Sequence, residues 1–360
     1  MAAKNRWSDA VFYNTDKDIL SHYEKNRHNC LYILGKGFDP RMMVGLSLVS
    51  RAVKICNTIL IDFSNENEYT SSLHKEFVKK NIEKLKLLAS NYKELKIPNI
   101  DNLPMFFKQE LTVSNNYDRV IIDISSMPQS IYFNIIKHLE KYIKLQKINK
   151  RYIKLDIIAC ENSALDDAIL PTDLKTANYL PGFDTYSNDL ESDNNRISIW
   201  FPLLGKNCRY ELDGLQSFLS PKEICPVLPF PSKNPRRSEE ILLELGETIF
   251  THLEIDKRNI LYVAEQNVLD IYNKLHNTIR YYNEVLKEIG EPRFYVSTGS
   301  SKLIGLGVLL VHLELSESES ETTISFAHVS NNGYDFKEDD YNPSYNQLCL
   351  LCMEDDRYEW

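Results

Sequence analysis

Two local patterns recur in this chain, one copy in each half, in the same order and at nearly the same separation. The first is an apolar strand running into Gly-Lys: Leu31-Tyr32-Ile33-Leu34-Gly35-Lys36, and again Ile199-Trp200-Phe201-Pro202-Leu203-Leu204-Gly205-Lys206. The second is an apolar strand running into paired serines ahead of an apolar helix: Val120-Ile121-Ile122-Asp123-Ile124-Ser125-Ser126, and Phe294-Tyr295-Val296-Ser297-Thr298-Gly299-Ser300-Ser301-Lys302. Gly205 lies 170 residues after Gly35, and Ser300 lies 175 after Ser125. Such a repeat predicts an α/β chain of two Rossmann-like lobes with mainly parallel sheets, related by an internal pseudo-duplication. Two unrelated α/β domains would give a similar pattern, because packed α/β layers have few solutions. Under the first reading Gly35 corresponds to Gly205 and Ser125 to Ser300. Small residues, backbone amides and lysines then stand at the carboxyl ends of parallel strands, where open α/β sheets bind ligands.

At 360 residues the chain exceeds the size at which one core usually stops growing, about 250–300 residues, so two domains are expected. Apolar runs of four to seven residues alternating with longer amphipathic stretches are the signature of β-α-β units. In the first lobe, 1–160 with an N-terminal extension, this predicts strands at 31–35, 58–63, 119–124 and 153–159, and helices at 41–54, 68–92 and 128–146. Trp7, Phe12 and Tyr13 of the extension are expected to dock on that lobe. Residues 161–196, polar and broken by Pro171, Pro181 and Gly182, read as a connector. The second lobe, 197–333, is expected to hold strands at 197–204, 223–229, 259–264, 293–298 and 322–329, with helices at 211–219, 238–252, 268–289 and 302–313. Residues 334–360 read as an acidic tail. Its Cys349-Leu350-Leu351-Cys352 stretch, Tyr358 and Trp360 would anchor a protein partner, so its removal is expected to leave stability nearly unchanged.

The net charge of −9 argues against nucleic acid as the main partner, since such binding draws on a dominant positive surface. No apolar stretch approaches the roughly 20 residues of a membrane helix, and Met1-Ala2-Ala3-Lys4-Asn5-Arg6 leads into polar sequence, so a cytoplasmic location without a membrane partner is expected. Seven cysteines, an odd number spread along a long chain, fit reduced thiols better than a disulfide framework. Cys349 and Cys352 form a CxxC, but no second CxxC or paired histidine completes a zinc set, and no metal is expected.

Several segments offer binding chemistry. Gly35-Lys36-Gly37-Phe38-Asp39-Pro40-Arg41 joins the first strand to the first helix; its glycines permit close backbone approach, and Lys36 and Arg41 can neutralise phosphate. It lacks the Gly-Lys-Ser/Thr ending of a P-loop and the full GxGxxG fingerprint. Asp62, ending the second strand, stands where a ribose-binding acid or a turn cap is expected. Ser125 and Ser126 precede Pro128 at a strand-to-helix junction and serve as ligand contacts or as a helix cap. Ser300, Ser301 and Lys302 follow Gly299, with Gly305 and Gly307 in the helix beyond. The stiff loop Pro229-Phe230-Pro231-Ser232-Lys233-Asn234-Pro235-Arg236-Arg237 places two arginines for bidentate anion recognition, or for pairing with Glu239 and Glu240. Glu265 and Asn267 follow the next strand and would read a base or ribose, or cap the helix. Arg236, Arg237 and Lys302 are expected to converge at one edge, where they would repel unless an anion is bound. Lone histidines such as His138, His252 and His276 read as structural.

The run Val296-Ser297-Thr298-Gly299-Ser300-Ser301-Lys302 with its apolar helix to 313 resembles the glycine, small-hydroxyl and lysine motif of CRISPR-associated Rossmann fold (CARF) sensors. That resemblance implies a cleft lined by such segments, formed by paired domains and binding a cyclic oligonucleotide. Ser125-Ser126-Met127 lacks the lysine. Tyr32-Ile33-Leu34-Gly35-Lys36-Gly37-Phe38-Asp39 in turn resembles the opening Gly-x-Gly-Phe segment of SIR2-like and related abortive-infection proteins, with Asn99-Ile100-Asp101 similar to their Asn-Ile-Asp element. That resemblance implies a nucleotide such as NAD, although no histidine occupies a convincing catalytic position. Both imply nucleotide recognition in prokaryotic antiviral defence. The expected function is therefore a sensor or subunit binding a nucleotide or other phosphorylated ligand. Two alternatives stand beside it: a nucleotide-cleaving or nucleotide-modifying enzyme using Asp62, Asp123 or Glu265 as acid or base, and a structural subunit.

Overall fold

The computed structural model describes residues 6–7, 10–25, 29–63, 72–89, 91–97, 100–111, 117–185, 195–297, 299, 301–317, 322–331, 333–335, 337 and 341–353. The chain divides into two compact units: Asp9–Asn162 with Tyr341–Trp360, and Met1–Ser8 with Ser163–Asp340.

The first unit is built on β1 (Val11–Tyr13), β2 (Cys30–Gly35), β3 (Ile55–Asp62), β4 (Tyr92–Lys96), β5 (Arg119–Asp123), β6 (Lys154–Glu161) and the late strand β16 (Gln347–Cys352). They form one sheet in the order β1-β16-β6-β5-β2-β3-β4. The strands from β6 to β4 are parallel, while β16 runs antiparallel to both β6 and β1. Taken in chain order, the five parallel strands lie 3-2-1-4-5, the order of the Rossmann fold. Every residue of β2 and β5 is buried, as expected of central strands covered on both faces. The helices are α1 (Asp16–Lys25), α2 (Val44–Val49), α3 (Ser72–Leu88), α4 (Leu103–Glu110) and α5 (Gln129–Ile148). Ile19 and Tyr23 of α1, Leu46 and Val49 of α2 and Leu85 of α3 pack with Tyr32, Leu34, Ile121, Ile158, Leu348 and Leu350 in one core. Right-handed crossovers put α4 and α5 on the opposite face.

The second unit repeats the order with a broken strand. It holds α6 (Ser163–Ala168), β7 (Leu170–Thr172), β8 (Ala177–Tyr179), β9 (Arg196–Pro202), α7 (Arg209–Leu219), β10 (Glu223–Ile224), β11 (Val227–Pro229), α8 (Arg237–Glu247), β12 (Leu261–Val263), α9 (Val268–Leu286), β13 (Glu291–Ser297), α10 (Lys302–Leu315), β14 (Ile324–Val329) and β15 (Gly333–Asp335). One sheet runs β10-β9-β13-β14-β8, and β11 pairs in parallel with β12. The Cys225 N–H donates to Trp200 O and the Leu204 N–H to Val227 O, so β10 and β11 act as two pieces of one strand beside β9. With that strand counted once, β9, β10/β11, β12, β13 and β14 again lie 3-2-1-4-5. In both units an antiparallel strand lies beside the fifth parallel one: β16 beside β6, with β1 as the edge beyond it, and the edge strand β8 beside β14. Gly35 and Gly205 thus follow the first strand of their units, and the Ser125 and Ser300 segments follow the fourth. Helix α10 is buried on nearly every side, and a Cβ on Gly307 would stand 2.2 Å from Ile271 Cγ2 and 2.7 Å from Val268 O. That glycine serves the packing of α10 on α9.

Four expectations are corrected. The segment read as helix to residue 92 ends at Leu88, and β4 and α4 follow it; the exposed, charged alternation of Tyr92-Lys93-Glu94-Leu95-Lys96 marks an edge strand. The presumed connector contributes α6, β7 and β8. Trp7 belongs to the second unit, where its N–H donates to Tyr272 Oη at 3.1 Å; Phe12 and Tyr13 stay with the first, in β1. The acidic tail does not hang free over its whole length: β16 lies inside the first unit's sheet, and Leu348, Cys349, Leu350, Leu351, Cys352 and Met353 are buried. The apolar groups offered to a partner are spent on the core, while Tyr358 and Trp360 lie outside the described residues. Among the described residues no helix is long and apolar enough to cross a membrane.

The reversal is measurable. Leu350 is fully buried between β1 and β6, so Leu350→Ala should cost about 2–5 kcal/mol. Denaturant unfolding should show this as a lowered midpoint, and removal of residues 341–360 should leave no cooperative transition for the first unit. An unchanged midpoint in the point variant would restore the reading of the tail as dispensable.

Candidate functional site

In an open sheet of this order the ligand crevice lies at the carboxyl ends of the first and fourth strands, where successive connections leave in opposite directions. In the first unit that position falls between Gly35 and Asp123. It is closely packed. Ser126 Oγ donates to Gly35 O at 2.8 Å. A Cβ on Gly35 would meet Met127 Cγ at 2.6 Å and Phe63 Cε1 at 2.9 Å, and one on Gly37 would meet Ser126 O at 3.3 Å. The glycines therefore admit Met127 and Ser126, which occupy the space a ligand would need.

The cations of this loop are engaged as well. Lys36 Nζ pairs with Asp62 at 2.9 Å and Glu94 at 2.6 Å. Desolvation works against the ammonium, but the two carboxylates outweigh it and raise its pKa. Arg41 is buried; its guanidinium grips Asp39 through Nε and Nη2, and Nη1 donates to Cys160 O at 3.4 Å. Asn81 of α3 donates to the Gly37 and Asp39 carbonyls, both at 3.0 Å. Asp62, expected at a ribose or as a cap, is the counter-ion of Lys36.

Ser125 belongs to a buried network. Its N–H and hydroxyl both donate to Asp123, and its Oγ accepts the Cys160 N–H at 2.9 Å. Tyr32 Oη donates to the other Asp123 oxygen at 2.7 Å. Gly45 of α2 makes room for the pair, since a Cβ there would lie 2.4 Å from Asp123 Oδ2. Burial pushes the Asp123 carboxyl up to about 6 despite the hydrogen bonds from Ser125 and Tyr32. Neither serine caps α5, whose N-cap position is Pro128.

At the corresponding edge of the second unit, Arg237 is buried. Its Nη1 donates to Asp167 Oδ2 at 2.7 Å and its Nε faces Glu265 Oε1. Lys206 pairs with Glu240 at 2.5 Å and stands 3.7 Å from Asp167. Of the three cations expected to converge here, Arg237 is neutralised by Asp167 and Glu265, and the neighbouring Lys206 by Glu240. Of the alternatives for the arginines, Glu240 binds Lys206, whereas Arg237 takes Asp167 from α6. Arg236 is exposed, and its N–H donates to Asn234 Oδ1. Ser232 Oγ donates to Pro229 O at 3.0 Å, holding the proline loop on itself. Burial raises the Glu265 pKa, with Arg237 opposing it. Asn267 is the N-cap of α9 and accepts the N–H groups of Leu269 and Asp270.

The fourth-strand loop of this unit is different. Gly299 has φ +133°, open to glycine and strained for other residues, and among the described residues the atom nearest a Cβ there is Leu203 O at 3.9 Å, an ordinary contact. Ser301 caps α10, its Oγ accepting the Ile304 N–H at 3.2 Å, and Lys302 is the first helical residue. Ser300 lies outside the described residues, as does Asn99 of the SIR2-like element. Asp167 and Lys206, missed as site residues, were signalled only by the Asp166-Asp167 pair in the presumed connector and by the repeated Gly-Lys. A cleft of about 280 Å3 in the first unit, lined by Leu31, Asn57, Thr58, Tyr92, Lys93 and Glu110 among others, gathers none of the candidate residues.

A scan against protein-family profiles and a search of curated protein sequences both find no match. Among solved structures, the cytoplasmic domain of a prokaryotic cation chloride cotransporter is similar at 12% identity and a TM-score of 0.23, over 84% of this chain and 95% of that one. A TM-score that low carries no inference about fold or function.

The raised Asp123 carboxyl gives a pH signature. The folded protein holds this proton more tightly than the unfolded chain, where the group titrates near about 4. Its contribution to stability is complete below the unfolded value and is lost as pH rises through about 6. Unfolding midpoints measured between pH 4 and 7 should therefore fall less steeply with pH in Asp123→Asn than in the wild type; parallel curves would mean that the carboxyl titrates normally.

Proposed function

We propose that the chain binds a nucleotide or another phosphorylated small molecule at the fourth-strand loop of its second unit, and that it acts as a ligand sensor or as a subunit of a larger assembly. The observation that carries this reading is the backbone at Gly299. It stands at the switch point of a 3-2-1-4-5 sheet, with a conformation suited to glycine, directly ahead of Ser301 and Lys302 at the start of a 14-residue helix. Amides at a helix start, a hydroxyl and a lysine complement a phosphate. In the first unit the same crevice position is filled, since Gly35 is covered by Met127 and Ser126.

The resemblance of 296–313 to CARF sensors adds a ligand class, cyclic oligonucleotides, and a setting, prokaryotic antiviral defence. The enzyme alternative finds less support, because its three carboxylates are already committed: Asp62 to Lys36, Asp123 to Ser125 and Tyr32, and Glu265 to Arg237.

Native mass spectrometry of freshly purified protein, followed by calorimetric titration with cyclic oligoadenylates, ATP and NAD, tests the reading. One of these is expected to bind, and Lys302→Glu should weaken it at least tenfold without lowering the melting temperature, since a glutamate suits the first turn of a helix. Equal affinities would move the site away from α10. Failure of every nucleotide to bind would leave the chain a structural subunit.

A further inference from the structure

The net charge of −9 conceals a local excess of the opposite sign. Between residues 137 and 154, along the second half of α5 and the turn beyond it, seven lysines and arginines stand against one carboxylate, Glu140. Glu140 is buried and pairs with Lys144, one turn on, at 2.6 Å. The helix is firmly seated. Tyr132, Phe133, Ile136, Leu139 and Ile143 are buried on its inner side, and Tyr142 Oη and Arg151 Nη1 both donate to the Leu111 carbonyl just beyond α4.

The outer side of this helix is basic without being purely polar. Lys141, Leu145 and Ile148 follow one another at spacings of four and three, so they form one stripe, opposite Leu139 and Ile143. Lys137 and Lys144 border the stripe, and Lys150 lies beyond its end. Leu145 is 52% exposed, Ile148 78% and Tyr152, on the turn that follows, 69%. Met105 of α4, the helix packed beside α5, is exposed as well. A single aliphatic residue at a surface needs no explanation, but a stripe of them among lysines is an amphipathic face with an apolar centre.

That combination selects among partners. The phosphates of a nucleic acid would take the lysines, yet they offer nothing to leucine and isoleucine, and base edges are read mainly by arginine and amide side chains. A second copy of the face would bring like charges together. A leaflet bearing anionic lipid satisfies both halves. Its head groups take the ammonium groups, the boundary between head groups and acyl chains takes Leu145 and Ile148, and tyrosine suits the level between them.

We propose that the outer face of α5 docks the first unit on a bilayer surface carrying anionic lipid, with Leu145 and Ile148 entering the head-group boundary and the surrounding lysines holding the charged lipids. The expectation of no membrane partner rests on the lack of a spanning stretch, which a helix lying on a surface does not need. The face belongs to the first unit, and its test involves no nucleotide, so it stands independently of the ligand reading of the second.

The full chain is mixed with vesicles of phosphatidylcholine, with or without phosphatidylserine, and recovered by flotation. Association is expected only where phosphatidylserine is present, and it should weaken as salt is added. Leu145→Ser with Ile148→Ser keeps every charge and should weaken association at least tenfold with an unchanged melting temperature. Lys141→Glu with Lys150→Glu, both at exposed positions, should weaken it to a similar degree. Ile148→Ser alone, at the most exposed position of the stripe, decides the matter if the double serine variant is destabilised. No association with phosphatidylserine vesicles, or equal association of the serine variants, would overturn the proposal. Binding of polyuridylate in place of vesicles would overturn it in favour of nucleic acid, and a dimer lost in the serine variants without vesicle binding would do so in favour of self-association.

Discussion

The buried ion pair of Arg119 and Asp156 is the interaction on which the first unit depends. Both side chains are almost wholly excluded from solvent, on neighbouring central strands. Taking two charges out of water costs several kcal/mol each, and their attraction offsets this only where the remaining polar atoms find partners. The groups around the pair come from the ends of the unit: His22 of α1, whose Nε2 stands 3.1 Å from Arg119 Nη1, Tyr23, whose ring faces the guanidinium, and Cys352, the cross-strand neighbour of Asp156 on β16. Removing either charge would strand the other in an apolar core. The pair thus fixes where α1 and β16 must lie, and explains why a strand arriving nearly two hundred residues after β6 inserts between β6 and β1 rather than joining the nearer second unit.

Charge at the carboxyl edges follows a different rule. These cations meet carboxylates of their own unit: Glu94 and Asp62 on Lys36, Asp39 of the same loop on Arg41, Asp167 and Glu265 on Arg237, Glu240 on Lys206. An anion arriving at Arg237 would have to displace a buried pair and would face a surplus of negative charge. The cheaper route for a phosphate is a site whose donors are backbone amides, which carry no counter-ion. The proposed phosphate site at the start of α10 is of that kind.

Much of the fold was legible because its central strands carry apolar runs. The Leu31–Leu34 and Val120–Ile122 stretches, like Phe201 and Val296, are buried, as strands shielded on both faces require. Legibility failed at the edges. Tyr92–Lys96 is polar because one side of β4 meets solvent, and β16 was hidden by the acidic residues around it. The candidate sites were legible as positions, not as contacts. Ser125 and Ser126 were placed correctly at a strand end, but their partners Cys160 and Gly35 lie 35 and 91 residues away. Arg237 was read against its helical neighbours because nothing in the sequence joins it to Asp167, 70 residues earlier.

The shared strand order gives the two units the same crevice position, and their packing gives it opposite fates. In the first unit, glycine at the end of the first strand lets Met127 and Ser126 close in, and Gly45 lets α2 press on Asp123 and Tyr32, so a polar network of fixed geometry fills the edge. In the second unit, a glycine that permits close packing lies in α10, where Gly307 seats Ile271 and the Val268 carbonyl, while Gly299 at the loop holds φ +133°, a conformation that favours glycine. The first edge is fixed by the side chains that fill it, and the second by the backbone that leads into a buried helix. The same strand order thus admits two ways of building the edge, and the proposed binding reading rests on Gly299, Ser301 and Lys302 of the second.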